Sequence, residues 1–336
     1  MREGRPIGRS KIATSALGFG GAPIGNLYST VPEDEAQAAL QAALERGIRY
    51  FDTAPFYGHG LSEERMGRAL AGVPRERFLL STKVGRLIVP QKGRQAATSD
   101  GYAVSGTQAV FDYSREGVRR SFEASAQRLG LDYIDILLLH DIGRLTHGDQ
   151  HPRVLKQALD EALPAMADLR AAGAVGAIGL GVNEQAVCLE ILPHFELDCI
   201  MLAGRYSLLE QHDSRAIMAE AVTRGVSIIA AAPYNSGALG PRDAPGSTYN
   251  YAPLDSATRC RVERIYSICA SEGVDVGAAA LQFPLAHPAV CCVVSGFRSA
   301  FEVDSAVLRL SADISAPLWN RLRETGHIEE NAPVPL

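Results

Sequence analysis

The chain has 336 residues, 46% of them apolar and 21% charged, an ordinary globular composition that argues for a large core and against disorder. Its net charge of -5 comes with no lysine/arginine stripe and no basic run interleaved with aromatics, which argues against nucleic acid as a partner. No apolar run approaches the roughly 20 residues that span a bilayer, and Met1-Arg2-Glu3-Gly4-Arg5-Pro6 lacks the apolar core of a signal peptide, so a cytoplasmic protein with no membrane partner is expected.

A short amino-terminal β-hairpin is predicted around Ile7-Gly8 to Lys11-Ile12, after which apolar strand-like runs alternate with amphipathic helical patterns. Strands are predicted near 17–21, 48–52, 78–83, 134–140, 174–181, 198–203, 225–232 and 290–295. Helices are predicted near 33–46, 62–71, 114–129, 153–172, 185–192, 212–223, 258–272 and 299–309. Local chemistry supports these limits. Pro32 stands before Glu33, Asp34 and Glu35, acids suited to a first helical turn, and Gly47 ends that helix. Ser62 and Ser114 are the expected N-caps of the next two long helices. The strands are short and nearly all apolar, as strands covered on both faces are. Eight strand–helix units in strict alternation predict a single domain over residues 1–336, a closed (β/α)8 TIM barrel. Three long connections, roughly 85–113, 141–152 and 233–254, each follow a strand and therefore rise on the carboxyl-end face, where barrel enzymes build their pockets.

Cys188, Cys199, Cys260, Cys269, Cys291 and Cys292 show no C-x-x-C spacing and read as small buried hydrophobes in a reducing compartment. Cys291 and Cys292 are neighbours on a strand and are expected to face opposite sides of it. His147 and His151 have the spacing of a helical metal pair, but they sit in a loop without a third ligand and read as solvated side chains. No metal is expected.

Three of the strands deliver ionisable residues at their carboxyl ends: Asp52 after Tyr50-Phe51, Lys83 after Phe78-Leu79-Leu80-Ser81-Thr82, and His140 after the run Ile134 to Leu139. Tyr57 follows Asp52 by one short loop. In a parallel barrel all four gather on one face. A tyrosine hydroxyl is a weak acid at neutral pH, and an ammonium held close by favours its phenolate. Lys83 is that ammonium, Asp52 the carboxylate that orients it, and His140 a donor to a substrate oxygen. Such a group passes one proton and leaves a carbon open to hydride exchange, which needs a nicotinamide or flavin. Gly18-Phe19-Gly20-Gly21 does not make a dinucleotide fingerprint, since no helix pattern follows it directly. The better phosphate site is Ser295-Gly296-Phe297-Arg298-Ser299, which precedes a helix.

The run Phe51-Asp52-Thr53-Ala54-Pro55-Phe56-Tyr57-Gly58-His59-Gly60-Leu61-Ser62-Glu63, with Lys83 and His140 in order, resembles the aldo-keto reductases, and the resemblance extends over nearly the whole chain. It implies a barrel that binds a nicotinamide dinucleotide extended across the strand ends, with Asp52, Tyr57, Lys83 and His140 as the catalytic residues. Within the family, that run and the stretch Leu202 to Glu210 resemble the members that oxidise aldoses of the L-fucose or D-threo kind at the anomeric carbon, and pyridoxal-oxidising members are similar. The cofactor residues implied are Gly21, Asn183, Ala232, Tyr234, Ser295, Gly296, Arg298 and Glu302. Two positions depart from the common pattern: Ala203 stands where a glutamine is usual, and Ala231 where an aromatic stacks on nicotinamide. Glu302 falls where NADP-dependent relatives often carry an uncharged or basic residue; a carboxylate there repels the 2'-phosphate, so NAD is the expected cofactor, with NADP tolerated and Arg298 arguing the other way. The expected partner is a small sugar or aldehyde. Phe56 and Tyr234 are candidate pocket residues, and Trp319 belongs to a tail that either folds over the site or serves the core. Four functions remain open: oxidation of a cyclic aldose or similar hemiacetal to its lactone with Tyr57 as base, oxidation of pyridoxal, reduction of aldehydes and ketones by NADPH, and a non-catalytic cofactor-binding regulatory subunit.

Overall fold

The structure is a computed structural model that describes residues 3–91, 101–240, 248–250 and 252–335. The remaining parts of the two longest predicted connections, 92–100 and 241–247 with Tyr251, lie outside the described residues. Eight parallel strands close a barrel in chain order: β1 (Leu17–Gly20), β2 (Tyr50–Asp52), β3 (Leu79–Val84), β4 (Ile134–His140), β5 (Val175–Val182), β6 (Cys199–Ala203), β7 (Ser227–Ala231) and β8 (Val290–Gly296). Closure is made where β8 returns to β1, with Val293 opposite Leu17 and Gly296 opposite Gly20. Each predicted strand is present, and helices cover the outside.

Alternation along each strand sorts side chains into two cores. Phe51, Leu80, Leu137, Leu139 and Ile200 point outward into the layer between sheet and helices, while Tyr50, Ile136, Leu138, Met201 and Ile229 fill the barrel interior. Ile7, fully buried, joins the interior set. The amino-terminal hairpin is longer than the sequence suggests: Glu3–Pro6 pairs with Ala13–Ser15, and the predicted 7–12 segment is its turn, closed by Ile7 N to Ile12 O at 2.8 Å.

Several local expectations are corrected. Cys291 and Cys292 both join the barrel interior, because a register shift opposite Ile228 and Ile229 makes a bulge that breaks the alternation. Cys260 is exposed, while the other five cysteines are buried. His151 is buried rather than solvated, with Nδ1 3.1 Å from Ile142 O and Nε2 3.2 Å from a Glu190 oxygen, and His147 is half-buried against Tyr113. Ser62 is no N-cap: Gly60 caps the helix Leu61–Leu70, and the Ser62 hydroxyl donates to Gly21 O at 2.8 Å. Ser114 does cap, accepting from Gly117 N. The predicted 153–172 helix starts at His151 and contains a π turn over Ala158–Ala162, just before Pro164, whose missing N–H removes an ordinary helical bond. Three helices escaped the sequence pattern, one of them the single turn Arg144–His147 inside the predicted 141–152 connection. Val276–Gln282 is buried all round and so shows no amphipathic period; Ala316–Glu324 carries the tail onto the barrel.

Trp319, on that last helix, is 1% exposed and packs against Phe283 with ring centroids 6.4 Å apart, so it serves the core. Trp319→Ala is expected to lower unfolding stability by about 3–5 kcal/mol, read as a fall in the urea midpoint with an unchanged slope.

Candidate active site

The pleat of three adjacent strands brings the ionisable residues together. Tyr50 on β2, Ser81 on β3 and Ile136 and Leu138 on β4 are interior, so two residues further on Asp52, Lys83 and His140 face inward as well, at the carboxyl end. The register places Asp52 opposite Ser81 and Lys83 opposite Leu138. Across the barrel, Gly181 of β5 leaves the space that the Lys83 stem fills: a Cβ there would stand 3.2 Å from Lys83 Cε.

Lys83 and Asp52 are each 2% exposed. Lys83 Nζ donates to both Asp52 oxygens, at 2.9 and 2.8 Å, and to Thr53 O at 2.9 Å, which uses all three of its protons. Ser81 donates to Asp52 Oδ1 at 2.6 Å. Burial pushes the Asp52 carboxyl up from its ordinary value, and the charge and hydrogen bonds of Lys83 hold it back. The pair is closed on itself, so its outward influence is the field of an oriented ammonium.

That ammonium lies 4.6 Å from the centre of the Tyr57 ring. Tyr57 meets His140 edge to face, with centroids 6.1 Å apart and planes at 87°. His140 is 6% exposed; burial, then the charges of Arg86 and Lys83, drive it well below the usual histidine range. It is therefore neutral at physiological pH, with one N–H to donate.

Two residues absent from the sequence-derived set belong to the same cluster. Arg86, just beyond β3, donates from Nη2 to Asp141 Oδ2 at 2.6 Å and lies 3.8 Å over the Phe56 ring. Asp141 follows His140 and also accepts from Asn183 Nδ2 at 3.1 Å. Their signal was local: Arg86 comes three residues after Lys83 and Asp141 directly after His140, each just past the end of one of two neighbouring strands. Tyr102 stacks on Tyr57 at 6.2 Å from a loop whose sequence carries no such signal.

A cavity of about 380 Å³ opens over Tyr57 and His140, bounded by Phe56, Tyr102, Asp141 and Asn183. A second, of about 300 Å³, continues from Tyr57 towards the ends of β7 and β8, where Ala232, Tyr234, Ser295 and Gly296 line it. Ala22, Leu27, Tyr57 and Ala203 border both, so the two form one groove across the carboxyl-end face. Asn183 is thus at one half, and four of the other expected cofactor residues at the other. Gly21 borders neither: it donates its N–H to Asp52 O at 2.7 Å and packs where a Cβ would stand 2.5 Å from Ser62 Oγ. Arg298 and Glu302 are also outside the lining. The Arg298 guanidinium donates to Leu27 O at 3.1 Å and to Ser29 Oγ at 2.7 Å, with Ser29 O and Thr30 O within 3.4 Å. Glu302 accepts from Arg298 N at 2.7 Å, and Ser299 caps the helix Ala300–Ser311 by accepting from Glu302 N. The groove fits an extended dinucleotide: it is continuous, its floor has the small side chains Ala203 and Ala231, and its far end leads to a helix amino terminus. Among the described residues no cluster of His, Cys, Asp and Glu can hold a metal, and no helix is long and apolar enough to cross a membrane.

A closed parallel barrel with a tyrosine, a neutral histidine and a buried lysine–aspartate pair at one end of a dinucleotide-sized groove defines a barrel oxidoreductase. The model of the Aldo/keto reductase family matches residues 16–326, and the chain belongs to that family; it is an NAD(P)-dependent oxidoreductase. It is 40% identical to a pyridoxal 4-dehydrogenase of Microbacterium luteolum, over 97% of this chain and 98% of that one. It is 38% identical to a D-threo-aldose 1-dehydrogenase of a Pseudomonas species, over 93% and 94% of the two chains. Among solved structures, the holo form of an aldo-keto reductase of Bacillus halodurans superposes with a TM-score of 0.74 at 26% identity, covering 96% of each chain.

Because His140 is depressed, it takes a proton only well below pH 6.5, and any activity change between pH 6 and 8 has another source. In an NMR titration the His140 ring signals are expected to stay constant from pH 8 to 6; an inflection near 6.5 would contradict the buried, cation-flanked environment.

Proposed function

We propose that the enzyme oxidises the anomeric carbon of an aldose of the L-fucose or D-threo type, or a similar cyclic hemiacetal, to the lactone, with Tyr57 as the proton acceptor and NAD as the preferred cofactor. The observation that carries the reading is the perpendicular meeting of Tyr57 and His140 beside the buried Lys83–Asp52 pair. It also accords with the two relatives named above: an aldose and pyridoxal each close on themselves as a ring hemiacetal with a hydrogen and a hydroxyl on the reacting carbon.

Asn183 would hold the nicotinamide end, and Ala232, Tyr234, Ser295 and Gly296 the remainder of the dinucleotide. Held there, a nicotinamide would supply a hydride acceptor facing the reacting carbon. The side chains do the rest. The anomeric hydroxyl donates to the Tyr57 oxygen, and its proton passes there as the C–H electron pair leaves and the C=O bond forms. The ammonium of Lys83 favours the phenolate that receives the proton, and Asp52 keeps that ammonium charged and aimed. The neutral His140 donates to a substrate oxygen and fixes the direction of the carbon. Aldehyde reduction runs through the same residues in reverse.

Two arrangements support NAD. The Arg298 guanidinium is committed to loop oxygens between Leu27 and Thr30, and the Glu302 carboxylate accepts from the Arg298 N–H just beyond the groove lining, so a 2'-phosphate extending past that end would, among the described residues there, meet a carboxylate and a cation already engaged.

With L-fucose, D-arabinose, L-galactose and pyridoxal as donors, substrate-dependent reduction of NAD is expected for at least one. Tyr57→Phe is expected to keep the fold and bind cofactor while losing about 10²–10⁴-fold in kcat; near-normal turnover would remove Tyr57 from the role. Glu302→Gln is expected to move the NAD-to-NADP ratio of kcat/KM towards NADP by roughly tenfold, the size of one lost charge repulsion at the surface. A wild type that already prefers NADP, with the ratio unmoved in the variant, would overturn the cofactor assignment.

A further inference from the structure

We propose that Asp141 is a specificity-determining residue that recognises a hydroxyl group on the carbon next to the reacting one; this rests on the hemiacetal reading and names the substrate feature that the site selects.

Asp141 is built into the pocket wall rather than left on a loop. Its backbone has φ 49°, in the left-handed region that few non-glycine residues occupy. It is clamped on both sides: its N–H donates to Gly181 O at 3.0 Å, and its carbonyl accepts from the Tyr113 hydroxyl at 2.9 Å. In this conformation Asp141 lines the same cavity as Tyr57 and His140.

The carboxylate is held but not saturated. Among the described residues it accepts one bond from Arg86 on Oδ2 and one from Asn183 on Oδ1, whereas a carboxylate has about four lone-pair sites. His140 Nε2 lies 3.4 Å from Oδ2, beyond an ordinary hydrogen bond, so the histidine does not consume the remaining capacity. Arg86 is fixed in turn between the rings of Phe56, at 3.8 Å, and Phe111, at 4.7 Å. Burial raises the Asp141 carboxyl, and Arg86 is the largest influence restraining the rise.

The spacing dictates what is recognised. A substrate oxygen bound at His140 and a hydroxyl bound at Asp141 are set a few Å apart, which suits oxygens on adjacent carbons, as O1 and O2 of an aldose are. A substrate without that hydroxyl leaves a buried, charged acceptor short of a donor, and sites built to bond a hydroxyl reject analogues that lack it far more strongly than apolar pockets reject a missing methylene. Intrinsic reactivity works in the opposite direction, since O2 withdraws electrons and slows hydride departure from C1. A preference for the 2-hydroxy sugar therefore reports recognition.

The test compares kcat/KM for L-fucose and 2-deoxy-L-fucose in the wild type, Asp141→Ala and Asp141→Asn, with thermal melts and cofactor binding measured for each. The wild type is expected to favour L-fucose by about 100-fold or more, Asp141→Ala to reduce the preference below roughly tenfold, and Asp141→Asn, which keeps an acceptor oxygen, to fall between. Both sugars meet the same protein, so the ratio cancels a general loss from leaving Arg86 without its partner, and Asp141→Asn still decides the matter if the alanine variant does not fold. A wild-type ratio near one, or a folded variant with the full ratio, overturns the proposal. Oxidation of neither sugar together with reduction of simple aldehydes rejects the hemiacetal reading itself, a result distinct from oxidation of both alike.

Discussion

The ion pair between Lys83 and Asp52 is the constraint on which the site depends. Two charges that are almost wholly enclosed at the top of a barrel are stable only as a pair, and removing either partner typically costs about 3–5 kcal/mol because the other stays buried and uncompensated. The barrel accommodates them by spending all three ammonium protons on Asp52 and Thr53 and by adding Ser81 to the carboxylate. An ammonium fixed in this way cannot turn towards solvent, so its field stays at the Tyr57 ring. Burial, then the fields of Arg86 and of this ammonium, keep His140 neutral.

Around that pair, strand geometry does most of the positioning. A period of two sends Tyr50 and Asp52 to the interior, and likewise Ser81 with Lys83 and Leu138 with His140, while the intervening residues pack under helices. The interior is plugged at the amino end by Ile7 and filled through its middle by side chains from β2 and β4 to β8. The charged pair and His140 stand at the carboxyl end, where the groove begins, while Ser227 at the amino end bonds Gly8 N and Pro6 O. The missing side chain of Gly181 makes room for Lys83, and the small Ala203 and Ala231 leave the groove open.

The Arg86–Asp141 pair sits against the first as a second layer. It links three functional positions: Asp141 touches Asn183 at the proposed cofactor side and neighbours His140 at the substrate side, while Arg86 supports Phe56 in the pocket wall. At the far end Arg298 binds the 27–30 loop to the start of the last barrel helix, so a residue that resembles a phosphate ligand serves instead to hold the segment bordering the groove. Both cases share a cause. A charged side chain in sequence shows its charge but not the partner that uses it.

Periodicity, apolar runs and turn residues determined the eight strand–helix units, the closed barrel and the face on which Asp52, Tyr57, Lys83 and His140 gather, because these follow from local alternation and from the rule that barrel sites lie at strand ends. They could not reach what depends on residues distant along the chain. The bulge that turns Cys291 inward is a matter of register against β7, and the burial of His151 depends on Ile142 and Glu190. The helix Val276–Gln282 carries no period because it is enclosed on every side. Likewise, only tertiary structure decided that Arg86 and Asp141 join the site, that Gly21 packs behind it and that Arg298 is already engaged, since each is a pairing of groups brought within 3.5 Å by the closure of the barrel and of its loops.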